Sequence, residues 1–376
     1  MRPDPAVTEL LRCAAGIELD ERERTRLSAV ADKVQCWDDV AAAAEAHGLA
    51  PLLYTHLRAA SVEIPRESAR QLLALTVRHR HAALVRNRVL REILDAFEAS
   101  GIHAIVLKGA ALAHVLYPSP ELRPMNDLDL LVDADLAERA QAVLGNRGFF
   151  APLVAENVRL IGHHHLAPAI RVTDGVVVQV EIHHNALSRD WNASLTIRTL
   201  IDAPRLFPLD GGHARTLGHR DMLRHLSRHC ADRGPLFRLG WVADLVGYAH
   251  RYRDEIDWKG LTTEDPFAIN ALSLMHFVTP LPEALARELQ PPTAPVPGGA
   301  GESGKSLEMI LQRGRSLSDV SRDVLYPSDW WLRLYYGVDL TSSLAWCRWI
   351  RHPAHVLRGA IQRAAIYMRW RVGLTP

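Results

Sequence analysis

Apolar positions recur at helical spacing through the first hundred residues. Leu90, Ile93, Leu94 and Phe97 stand at i, i+3, i+4 and i+7, forming one stripe that Ser100-Gly101 ends. Upstream, the alanine-rich stretch from Trp37 to His56 is broken at Gly48, which predicts two short packed helices. At Gly101 the period changes. Ile102 to Leu107 is a short β-branched run, and a helical stretch from Gly109 to Leu116 follows it. Asp127 to Val132 alternates carboxylate and leucine, the pattern of a strand with its aspartates on one side. Leu136, Ala140, Val143 and Leu144 then give a helical stripe stopped by Gly145-Asn146. Leu166–Val172 and Val176–Ile182 read as two strands joined through Asp174-Gly175, a hairpin signal.

These elements predict an α+β chain: a small mixed β-sheet with helices on one face, flanked by helical regions. From Asp221 the pattern is helical again, with Leu223, Leu226 and Cys230 on one face and a continuation from Trp241 to Tyr248. Gln290–Ser306 is Pro/Gly-rich; a helix near Leu307–Gln312, an aromatic stretch at Trp330–Tyr336 and an arginine-rich tail follow. The expected organisation is a helical region over 1–100, a core over 101–205, a helical subdomain over 206–289, a linker over 290–306, and a helical Arg/Trp-rich tail over 307–376.

Composition narrows the class without naming a partner. A net charge of +1 over 376 residues advertises neither a nucleic acid nor an anionic membrane. The four cysteines are far apart and form no CxxC pair, so reduced thiols are expected rather than a disulfide frame. The N-terminus starts no apolar signal region and no apolar run approaches a membrane span, so a cytoplasmic protein is expected.

The candidate chemistry lies in the strands. Asp127 and Asp129, two apart on a strand, share a face and can share a divalent cation, Mg²⁺ fitting best. Leu128, Leu130 and Leu131 supply the apolar partners, leaving two like charges adjacent unless a cation offsets them. Glu181 on a later strand is the candidate third carboxylate, for a two-metal clamp or for proton removal from an attacking hydroxyl. Gly109, at a strand-to-helix turn, allows close backbone approach to a triphosphate. Lys108 and Arg123 are the candidate phosphate cations. His183, two residues after Glu181, shares its face and is a candidate contact for metal, phosphate or acceptor.

Leu107-Lys-Gly-Ala-Ala-Leu112, Tyr117-Pro118, Leu122-Arg-Pro-Met-Asn-Asp-Leu-Asp-Leu-Leu-Val132, Gly148-Phe149 and Val180-Glu-Ile-His183 resemble the uncharacterised nucleotidyltransferase family of bacteria, a branch of the polymerase-β-like superfamily. The resemblance runs from about residue 30 to 290. It takes in His47-Gly-Leu-Ala-Pro-Leu-Leu53, Asp221–His229 and Arg238–Asp244. It implies Mg²⁺-dependent transfer of a nucleotidyl group, such as AMP from ATP, with Asp127, Asp129 and Glu181 as metal ligands. It leaves the acceptor open, with a peptide or sugar conceivable. Where the superfamily usually has Gly-Ser or Gly-Gly, Ala110 follows Gly109. The hydroxyl contact is lost, and the triphosphate grip then rests on backbone amides, Lys108 and Arg123. Two alternatives stand beside this reading. One is a toxin-like enzyme acting on tRNA ends; the other is a non-catalytic nucleotide-binding scaffold in a biosynthetic complex.

Three further patterns compete. Gly299–Ser306 matches a phosphate loop, but Gln290–Pro297 before it holds four prolines and cannot be the buried strand such a loop leaves. His163-His-His165, His183-His184 and the His225/His229 pair suggest zinc; the last pair lacks the glutamate of a zinc protease and reads as helix packing. The tail from Arg348 to Arg371 carries six arginines and no acid, with an apolar stripe at Leu357, Ile361, Ala364 and Met368. Packing on the protein itself is expected there, with anionic lipid, RNA or an acidic partner as alternatives.

Overall fold

The computed structural model describes residues 4–151, 163–188, 193–232, 237–291 and 325–371. The phosphate-loop match at Gly299–Ser306 and the helix expected near Leu307–Gln312 lie outside the described residues.

The N-terminal region is helical: α1 (Pro5–Cys13), α2 (Glu21–Ala31), α3 (Val40–Ala46), α4 (Ala50–Ala59) and a 34-residue α5 (Arg66–Ala99). The Ser100-Gly101 stop works as a left-handed cap. Gly101 sits at φ +69°, and Ile102 N–H returns to Phe97 O at 2.8 Å, satisfying a carbonyl the helix end would orphan.

Six strands form one sheet in the order β3-β4-β2-β1-β6-β5. They are β1 (Ile105–Val106), β2 (Asp127–Leu131), β3 (Ala169–Thr173), β4 (Val176–His183), β5 (Arg205–Leu209) and β6 (Gly212–Thr216). β2 runs parallel to β4 and antiparallel to β1. The Asp174-Gly175 turn joins β3 to β4 with both residues left-handed, φ +47° and +75°, as a two-residue hairpin of matching twist requires. β1 is shorter than the run from Ile102 predicts, because pairing to β2 and β6 engages only Ile105 and Val106.

The sheet also continues past the expected core limit at residue 205. β5 and β6 form a second hairpin over Asp210-Gly211 (φ +42° and +79°), and β6 pairs with β1 through Val106 and Thr216. Pro208 is tolerated because β5 is the edge strand.

Two further helices flank the strands, α6 (Lys108–Val115) and α7 (Ala137–Asn146). Leu128 and Leu130 of β2 and Val178, Val180 and Ile182 of β4 pack with Val89, Ile93 and Phe97 of α5 and Ala140 and Leu144 of α7 in one buried cluster. Each such side chain contributes roughly 1.5–3 kcal/mol by leaving water. Strand alternation then places Asp127, Asp129, Glu181 and His183 on the other face.

Beyond the sheet lie α8 (His219–Asp232), α9 (Leu239–Arg251), α10 (Trp258–Glu264), α11 (Pro266–Met275) and α12 (Glu283–Leu289). Their core joins that of α1–α4. After residue 325, α13 (Asp329–Tyr336) anchors through buried Trp330, whose Nε1–H donates to Leu274 O at 3.0 Å. A π-turn at Cys347–Arg351 leads into α14 (His352–Arg371). The tail packs on the protein at its start, through buried Cys347 and His352 and the Arg348–Asp329 pair, whereas Trp346, Trp349, Leu357, Ile361 and Met368 are all more than half exposed. Among the described residues, no helix is long and apolar enough to cross a membrane.

Candidate active site

Parallel pairing of β2 with β4 assembles the carboxylates. The register sets Asp129 opposite Glu181 and Leu131 opposite His183. Side chains two apart share a face, so one register brings Asp127, Asp129, Glu181 and His183 together. His183 is completely buried and donates from Nε2 to Asp129 Oδ1 at 2.7 Å, with Glu181 Oε2 3.6 Å from the same nitrogen.

Lys108 enters from the β1–α6 turn. Leu107 N–H donates to Asp129 O at 2.9 Å, and the next residue, Lys108, takes a left-handed φ of +44°. That conformation is costly for a side-chain-bearing residue. It places the Lys108 Nζ 3.3 Å from Asp129 Oδ1. Gly109 follows at the start of α6, where an added Cβ would lie 3.4 Å from both Arg123 Nη1 and Met125 Cβ. Ala110 is buried in the first turn and contributes its backbone, not a hydroxyl.

The two aspartates differ electrostatically. Burial by itself would raise the Asp129 carboxyl, but Lys108 and the His183 hydrogen bond outweigh it and hold Asp129 well below the usual carboxylate range. The Asp129 charge, aided by burial, pushes Asp127 up to about 6. Glu181 is lowered, burial opposing and the His183 hydrogen bond prevailing; His183 is raised against burial by Asp129 and Glu181. Asp129 and Glu181 each offer a carboxylate oxygen, and the His183 ring beside them lies within 4.8 Å of both. This donor set, with Asp127 destabilised as an anion beside it, suits a divalent cation that would neutralise the like charges.

The structure gives Arg123 a different role from the phosphate cation expected of it. Its Nε–H donates to both Asp244 oxygens, at 2.8 and 3.0 Å, and its Nη2 to Oδ2 at 2.6 Å. Nη1 is taken by Pro124 O, and Tyr117 adds a hydrogen bond to Asp244 Oδ1 at 2.8 Å. The guanidinium is thus a pin between the segment before β2 and helix α9.

Arg86 was not singled out by the sequence reading. It lies on α5 among Ala82, Val85 and Val89, and its Nε is buried with no hydrogen-bond partner among the described residues. Burial depresses its pKa, and Asp127 is the charge that opposes this. Arg86 sits in an arginine-rich helix whose spacing does not distinguish it from solvated neighbours.

A polar pocket of about 400 Å³ opens beside the carboxylates, lined by Lys108, Glu181, His163–His165, His225 and Tyr335, among others. His225 is buried, and desolvation pushes it down to about 3, so it is neutral there. His229 packs edge-on against Trp241 at 5.0 Å, in keeping with a packing role for that helix face.

A family model described as an uncharacterised nucleotidyltransferase matches residues 34–266, more than half of the chain. Two solved structures of ANT(2″)-Ia are similar. The crystal structure in complex with adenylyl-2″-tobramycin shares 10% identity and a TM-score of 0.34, covering 47% of this chain and 95% of that one. The solution structure of that antibiotic-resistance factor shares 12% identity and a TM-score of 0.36, covering 52% and 98%. No curated protein matches. The chain belongs to the uncharacterised nucleotidyltransferase family, and with it to the transferases that act on a nucleoside triphosphate.

Proposed function

We propose that this family member transfers an NMP group from an NTP to a hydroxyl of a peptide or sugar-like acceptor, with Mg²⁺ held by Asp127, Asp129 and Glu181. The observation that carries the reading is the register pairing Asp129 with Glu181, with Lys108 turned onto the same carboxylate. Bound there, the metal would polarise the α-phosphate and offset the charge developing on it.

The chain's own residues do the rest. Lys108 and the amides at Gly109 and Ala110 face the triphosphate at the start of α6, where helix-end N–H groups favour anions. Arg86 adds a cation from α5. His183 fixes the Asp129 carboxylate in its ionised form. Glu181 receives the acceptor proton as the acceptor oxygen bonds to Pα and the Pα–O bond to pyrophosphate breaks. The pocket, within the volume range of small-molecule sites, holds the acceptor among hydrogen-bonding side chains.

Asp127→Ala and Asp129→Ala test the reading. Each variant is expected to lose pyrophosphate release while retaining a cooperative melt. Full activity in both, with any NTP and cell extract as acceptor pool, would contradict the assignment.

A further inference from the structure

His163, His164 and His165, which line the pocket, form a second cluster with no assigned step in nucleotidyl transfer. In an extended chain, His163, His164 and His165 would alternate sides; a bend at His164, followed by the bridge of His165 to His183, gathers all three. Their ring centroids lie 4.1, 4.2 and 4.9 Å apart. Each ring offers one nitrogen within 4.8 Å of the other two.

The hydrogen bonding of His165 settles which nitrogen it offers. Nδ1 lies 2.7 Å from Leu166 O, and a carbonyl only accepts, so Nδ1 carries the proton. Nε2 is left with its lone pair on the pocket side, 3.7 Å from Glu181 Oε2. A backbone carbonyl orienting the far nitrogen in this way is the usual support of a metal-bound imidazole.

We infer that His163, His164 and His165 form a binding site for a zinc-type divalent transition cation, adjoining the carboxylate centre but with its own ligands. Imidazole ligands suit Zn²⁺, Ni²⁺ or Co²⁺ and discriminate against Mg²⁺, which demands oxygen donors. Three nitrogens around a tetrahedral ion stand about 3.4 Å apart, within reach of small side-chain rotations from the arrangement seen. The fourth position faces the pocket, open to an oxygen donor from solvent or ligand. An open fourth position is the mark of a reactive zinc site rather than a closed structural one.

Untagged full-length protein titrated with Zn²⁺ in excess Mg²⁺ tests the site, with Co²⁺ absorption reporting geometry. One saturable equivalent is expected, with a tetrahedral Co²⁺ spectrum and three imidazoles counted by X-ray absorption on the wild-type zinc complex. His163→Gln with His164→Gln should weaken binding at least about tenfold, while Asp127→Asn should leave it unchanged. The absence of saturable binding would overturn the proposal. So would a zinc complex with a single imidazole and two carboxylates, because the ion would then sit on Asp129, Glu181 and His183. Counting ligands on the wild-type chain keeps the test independent of whether the variants fold, and no arm requires nucleotidyl transfer.

Discussion

His183 Nε2 and Asp129 Oδ1 meet at 2.7 Å with both side chains almost wholly buried, one strand apart on a parallel pair. The contact ties an ionised carboxylate to the only imidazole on its face of β4. Removing one partner of a buried charged pair leaves the other without compensation. His183→Ala is therefore expected to cost about 3 kcal/mol of stability, read from denaturant melts, and to lower turnover even in the folded fraction. His183→Gln, which can still donate, should recover part of the stability.

The two aspartates should respond oppositely to neutralisation. Asp129 holds Lys108 and His183, so Asp129→Asn should lower the melting temperature of the metal-free protein. Asp127 is raised because Asp129 repels its charge, so Asp127→Asn should leave that temperature unchanged or raise it. Both changes should abolish transfer. Thermal melts beside an activity assay separate the two effects.

Metal affinity should follow the Asp127 carboxyl. With that group pushed up to about 6, the folded metal-free protein carries a proton there below that pH, which an unfolded aspartate would have lost near 4. Stability from this group is therefore lost as pH rises through about 6 in the absence of metal. Mg²⁺ must displace the proton below that point, so its affinity should climb with pH towards about 6 and level off above it. Calorimetric Mg²⁺ titrations across that range check the sign; a flat profile would remove Asp127 from the metal site.

The Arg123–Asp244 pair should behave as structure rather than as substrate contact. Arg123→Ala or Asp244→Ala is expected to destabilise by about 3–5 kcal/mol, with coupling visible in a double-mutant cycle. The KM for NTP should change little in whatever Arg123→Lys protein folds. Arg86→Gln should do the reverse, weakening NTP binding several-fold with a small change in stability, measured against the nucleoside as control.

Much of the site could be read from residues close in sequence. Alternation in Asp127–Val132 placed both aspartates on one face, and Asp174-Gly175 announced the β3–β4 hairpin because local geometry alone dictates that turn. Pro208 and the polar His213 and Arg215 disguised the β5–β6 hairpin, although Asp210-Gly211 carried the same signal. An edge strand needs neither full alternation nor every N–H. The partner of Arg123 was beyond reach for another reason: Asp244 is 121 residues away, and nothing local marks a long-range ion pair. Arg86 escaped because its burial beside Asp127 is a product of the fold, invisible among the other arginines of α5.

The fate of the phosphorus label tests most directly whether the carboxylate face of β2 and β4 moves a nucleotidyl group. With α-labelled and γ-labelled NTP in parallel, Mg²⁺ and cell extract as the acceptor pool, label from the α position should appear on an acceptor. Pyrophosphate should carry the γ label, and Asp129→Asn should abolish both. Label from the γ position on the acceptor, with α label remaining in NDP, would contradict the account and make the protein a kinase.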